Sequence, residues 1–169
     1  GFERYIQASI VWFCLGALGN LALLVFTVQQ GLNVVPEAFQ AAYFTSQFWG
    51  FMALMALAIG QRVHPDFLGI SAPSAKGLSH VFWFINLGLA LLVSVEVAQA
   101  FRYSRFLDYL YLAAGVGAGG AFIAFLLILN PFQRPSMDLK AMGVENSHVK
   151  FLKTAYTWLL LASIMVIGY

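Results

Sequence analysis

The sequence predicts an all-α fold, a polytopic bundle of about five transmembrane helices in a single domain over 1–169. Three observations lead there. Only 9% of the residues are charged and 61% are hydrophobic, whereas a soluble domain carries roughly 25% charged residues. Mean hydropathy is +0.80, too high for a surface covered by polar groups. The apolar residues also come in blocks of about 20, enough to cross a hydrocarbon core of roughly 30 Å as helix. The lipid bilayer is therefore the expected partner.

Five segments follow in order: 6–28, 39–59, 80–101, 110–129 and 154–169. Asn33 and Pro36 break the chain before the second. In GQRVHPDFLGI, Pro65 is expected to end that second helix, with Arg62 and His64 at the headgroup level and Arg62 snorkelling towards lipid phosphate. Pro73 and Gly77 mark the next loop, and Ser79 is placed to cap the third helix. Asn130-Pro131 closes the fourth, because proline disfavours helical geometry in the residue before it. The last segment has 16 residues, about 24 Å of helix. That falls short of a crossing, so the segment is expected to be truncated and the chain to be part of a longer protein.

Orientation comes from the loop cations. Arg4, Arg62, Lys76, Arg134, Lys140, Lys150 and Lys153 fall on one side, Arg102 and Arg105 on the other. This predicts a cytoplasmic N-terminus in a multi-pass protein of the bacterial inner membrane. No signal peptide is expected, since the first apolar run is too long and lacks a small-residue cleavage site. RYIQASIVWFCLGAL near the start echoes KFLKTAYTWLLLASI near the end, which suggests a repeated four-helix unit.

Several functions are excluded. A net charge of +2 is too small to suggest nucleic acid. One cysteine, Cys14, allows neither an intrachain disulfide nor a cysteine-clustered metal site. No Ser-His-Asp set, paired carboxylates or phosphate loop is visible, so no catalytic residue is assigned and enzymatic activity is left open.

Glu96 is the most expensive residue, since an acid at a helix centre costs roughly 2.5–3.5 kcal/mol to insert. It reads either as a proton or cation ligand or as an interfacial acid, with Gln99 and Arg102 or Arg105 as partners. Tyr43 lies between Gln40 and Gln47 on one helical face, a stripe that would line a cofactor pocket or bond other helices. Asn20 and Asn86 read as interhelical glue. GVGAGG in the fourth segment follows no strand and reads as packing: Gly115 and Gly119 form one small face, Ala113, Gly117 and Ala121 another. His64, His80 and His148 fall at or beyond expected helix ends. His80, in HVFWFINLG, has the aromatic setting suited to a buried porphyrin.

The Gly60, Arg62, Pro65, Phe67 and Gly69 turn, with KTAYTWLLLA, FWFINLGLAL and GVGAGGAFIAFLLI, resembles the NnrS family. These are bacterial polytopic membrane proteins associated with nitric oxide metabolism and described as haem- and copper-containing. The resemblance covers nearly the whole chain, about half of a family member. It implies haem or copper, with His80, Tyr43 and Gln47 as cofactor-binding candidates and Glu96, Arg62, His64 and Arg102 as membrane-polar or interface residues. Family members carry a histidine early in the helix leading to the turn. Here AAYFTSQFWGF has none, which weakens haem ligation through this half. The expected role is an NnrS-like protein of nitric oxide response or respiratory metabolism. The alternative is a non-catalytic accessory subunit of a larger respiratory or photosynthetic membrane complex. A small-solute transporter ranks last, since the segments as bounded contain no proline.

Overall fold

The structure is a computed structural model that describes residues 1–31, 33–133 and 146–168. Five long helices carry it, and the described residues form no strand. We label them α1 (Phe2–Gln29), α2 (Gln40–Leu68), α3 (Ala75–Phe101), α4 (Arg105–Leu129) and α5 (Asn146–Gly168). All five are long and apolar enough to cross a membrane. The chain is a multi-pass membrane protein.

All but α2 begin earlier than their apolar runs. Ser74, not Ser79, caps α3 by accepting the Gly77 N–H at 3.3 Å. Ser104 caps α4 in the same way, from Leu107 N–H at 3.3 Å. α5 starts at Asn146 rather than 154 and has 23 residues, about 34 Å of helix, not the short segment expected. In α3 and α4 the first turn is helical ahead of the apolar run, because a hydroxyl that accepts an orphan N–H sets the start, not the onset of hydropathy.

The largest departure is at Pro65, which lies inside α2 and does not end it. The helix runs on to Leu68 and stops because Gly69 turns left-handed, φ 60°. Gly69 N–H then bonds Asp66 O at 3.4 Å and Ile70 N–H bonds Pro65 O at 3.0 Å. This is a Schellman closure that uses glycine's freedom at positive φ. Pro65, Leu68 and Ile70 are all buried, so packing holds the last turn in place despite the proline. One candidate span therefore contains a proline, contrary to expectation.

α3 packs along α4, α4 along α5, and α1 along α2, which also lies on α3. The core gathers Leu54, Leu57, Ile85, Leu89, Phe122 and Phe125. Tyr5 pins the start of α1 there: its ring is edge-on to Phe82 and Phe125, and its hydroxyl donates to Leu78 O at 2.8 Å. Asn86 is interhelical glue, accepting Trp12 Nε1–H at 3.0 Å. Asn20 lines a cavity beside α1 instead.

Two close faces do lie on α4, but not both as expected. At Gly115 and Gly119 an added Cβ would sit 2.7 Å from Val166 O and 2.6 Å from Ser163 O of α5. The other face is Ala114, Ala118 and Ala121, all buried, with Gly88 of α3 against the Ala118 backbone. Ala113 is exposed and Gly117 has no neighbour within 4 Å. The register is one residue off the expected face. The sequence echo is likewise not matched in use: Trp12 is 8% exposed, its counterpart Trp158 67%.

Arg4, Arg62 and Ala75 line a common cavity, so the start of α1, the end of α2 and the start of α3 share one end of the bundle, the basic end. Arg102 and Arg105 belong to the opposite end. Arg134, Lys140 and Tyr169 lie outside the described residues.

Candidate functional site

The register of α3 carries Glu96 inward. The buried stripe of this helix runs through Ile85, Leu89, Leu92, Val95 and Glu96, while Phe84, Leu87 and Leu91 face outward. Glu96 is three and four residues beyond Val93 and Leu92, so it continues the inner face rather than meeting water. It is only 5% exposed.

Its partner comes from α2. Residues Thr45–Ala53 of that helix wind as a π-helix, a widened geometry frequent at functional sites. Thr45 and Ser46 are both buried there. Thr45 Oγ1 donates to Glu96 Oε1 at 2.9 Å, while Ser46 Oγ donates back to Tyr43 O at 2.9 Å. Glu96 Oε2 is buried and has no hydrogen-bond partner.

The carboxyl lines a cleft of about 620 Å³ between α2, α3, α4 and α5, whose walls include Gln40, Thr45, Trp49 and Tyr111. Phe44, Phe48 and Met165 also line it and are exposed, so its rim is apolar and faces the bilayer side of the bundle. Phe44 and Phe48 stack at 5.2 Å with their planes 8° apart. A second cleft of about 470 Å³ lies across α2, lined by Trp12, Gly16, Phe39, Tyr43, Ser46 and Phe101 among others.

The expected pairing of Glu96 with Gln99 or arginine is not what the structure shows. Gln99 Nε2 donates to Asp108 Oδ1 at 3.1 Å, and the Tyr103 hydroxyl donates to Asp108 Oδ2 at 2.6 Å. Arg102 and Arg105 are exposed, which suits Arg102 as an interface residue. Tyr103 holds its proton more tightly than an ordinary tyrosine, chiefly through that hydrogen bond to Asp108 and then through the carboxylate's charge.

The cofactor candidates do not converge. His80 is exposed in the second turn of α3, near the basic end, while Tyr43 and Gln47 lie in the first turns of α2, at the opposite end. Tyr43 lines the second cleft. Gln47 donates to Phe13 O at 3.3 Å and lies over Gly16. Imidazole is a common axial ligand of haem, and no histidine lines either cleft. Among the described residues, no group of three or more His, Cys, Asp or Glu is placed to hold a metal ion.

His64 departs from its expected place as well. It lies within α2, half-buried, and its Nδ1 shares a hydrogen bond with the Tyr156 hydroxyl of α5. Gly60 makes room for this: a Cβ there would lie 2.7 Å from the Tyr156 oxygen. Arg62 is exposed, as an interface residue should be.

No match was found. Family models, curated proteins and solved structures were all compared with the chain. The reading of the site accordingly stands on its geometry. Sequence reasoning singled out Glu96 and the polar stripe of Gln40, Tyr43 and Gln47 in the neighbouring helix, but not the pairing of Glu96 with Thr45. An inward carboxylate and a polar residue in the neighbouring helix were the available signals; what was missing was the relative phase of the two helices.

Proposed function

We propose that this protein binds a proton or a cationic group within the membrane at Glu96, as part of proton- or cation-coupled work in the bilayer. One observation carries the reading: a buried carboxyl oxygen without a partner belongs to a residue that lines a cleft with an apolar rim. An unpaired carboxylate in such surroundings is strongly disfavoured. A proton on the group, or a cation beside it, removes the penalty. Thr45 holds the other oxygen and fixes the direction in which Oε2 points.

Infrared difference spectroscopy of the reconstituted protein tests this. A carboxylic-acid band that responds to pH or to added cation should disappear in Glu96→Gln and persist in Glu37→Gln. The same response in Glu96→Gln as in wild type would reject the proposal.

We further propose that the basic end is cytoplasmic, in a bacterial inner membrane, which places the Glu96 cleft in the outer half of the bilayer. The asymmetry of the loop cations supports this orientation. Single cysteines at Ser74 and Ser104 in a Cys14→Ser background, labelled with an impermeant reagent, report it. Labelling of Ser74→Cys from outside would reverse it.

A second reading is an NnrS-like role in nitric oxide response or respiratory metabolism. The observation favouring it is that the segments behind the resemblance meet in pairs: Gly60 with Tyr156, and Gly88 with Ala118. The visible spectrum of the purified protein tests the haem part. A Soret band supports the haem part; its absence removes that part.

A further inference from the structure

The basic end holds a second built site, independent of the Glu96 reading. A cavity of about 310 Å³ is lined by Arg4 of α1, Gln61 and Arg62 of α2, and Ala75 and Ser79 of α3. No acidic residue is among its lining residues. α3 begins at Ala75 on its wall, so the positive end of a 27-residue helix is presented to the same space. Two guanidiniums, a hydroxyl and a helix N-terminus make one donor-rich concavity.

The decisive atom is Gln61 Nε2. Gln61 is 8% exposed, lines the cavity, and its amide nitrogen is buried without a hydrogen-bond partner. A buried donor left unmade is costly, and an acceptor in the cavity satisfies it. Carboxamide nitrogen donates and does not accept; guanidinium likewise only donates. Gln61 Nε2 and the two guanidiniums therefore seek an oxygen acceptor, the guanidiniums carry positive charge, and the Ser79 hydroxyl can add a donor. Phe2, Leu78 and Phe82 form the apolar remainder, as suits a site at the edge of the hydrocarbon.

We propose that this cavity binds a phosphate-class oxyanion, with the Arg4 and Arg62 guanidiniums on its charge and Gln61 Nε2 donating to one of its oxygens. Guanidinium pairs bidentately with phosphate, which lysine does not. The cavity exceeds a bare phosphate group and has room for the alcohol to which a lipid phosphate is esterified. The anionic headgroup of a lipid and free phosphate share this chemistry, so the test separates them.

Protein in phosphatidylcholine nanodiscs is titrated with phosphatidylglycerol in one arm and with inorganic phosphate in the other, and retained lipid is read by native mass spectrometry. Arg4→Gln and Arg62→Gln should each weaken binding about five- to tenfold. Both residues are exposed, so the fold tolerates the change. Gln61→Leu should weaken it without altering charge. Lys76→Gln removes a cation from the same end but not from the cavity, and should leave binding unchanged. Phosphatidylglycerol bound with no response to free phosphate assigns a headgroup site; response to both assigns the phosphate class in either form. No binding in either arm, or a loss in Lys76→Gln equal to that in Arg62→Gln, overturns the proposal.

Discussion

Replacing the α4 glycines one at a time by alanine separates contact from composition. At Gly119 a Cβ would lie 2.6 Å from Ser163 O and 2.7 Å from Ile167 Cγ1. Ordinary carbon contacts lie near 3.5 Å or beyond, so α5 must retreat by roughly 0.8 Å or more. Overpacking of this kind costs about 1–3 kcal/mol. Alanine returns about 1 kcal/mol through helix propensity. Gly119→Ala should therefore destabilise by up to about 2 kcal/mol. At Gly117 and Gly120 nothing lies within 4 Å, so alanine there should be neutral or stabilise by up to about 1 kcal/mol. Unfolding in mixed micelles with increasing sodium dodecyl sulfate, followed by helical circular dichroism, reads the difference. Equal shifts for Gly119→Ala and Gly117→Ala would refute the packing of α5 described above.

The remaining predictions concern polar contacts. Thr45→Val removes the donor to Glu96 and should cost about 1–3 kcal/mol; in a Glu96→Leu background the loss should shrink, as a double-mutant cycle would show. Gly60→Ala should destabilise, since its Cβ meets the Tyr156 hydroxyl, and the penalty should fall in Tyr156→Phe, measured by the same unfolding assay. Tyr103 should ionise later than an ordinary tyrosine because of Asp108. Its raised folded pKa makes that contact fully present below the unfolded tyrosine pKa and lost as pH rises through the folded one. Ultraviolet titration of tyrosinate should show this group move down in Asp108→Asn, and no movement would sink the assignment.

Membrane class and the five helices were legible because hydropathy is summed over about 20 residues, which averages out local detail. Single-residue punctuation was less so. Pro65 reads as a stop, yet burial of Pro65 and Ile70 and the left-handed turn at Gly69 carry the helix past it. Ser74 and Ser79 are equally good caps on paper; only the chain's turn into α3 chooses Ser74. Glu96 was legible as costly. That it meets Thr45 rather than Arg102 depends on how α2 and α3 are rotated against each other, and nothing local to either segment encodes that. On α4 the Gly115 and Gly119 face was legible, but Ala113 and Gly117 of the other face were placed one residue out for the same reason: a run as dense in glycine and alanine as AAGVGAGGA offers several nearly equivalent seams, and only the neighbours choose among them.

The central cluster draws on α1 to α4 and takes only Tyr156 from α5 as a buried member. Inserted in chain order, the first four helices can close their aromatic interior before the fifth arrives. The fifth helix then docks onto that body, received by two notches at Gly115 and Gly119 and latched by one phenol reaching past Gly60.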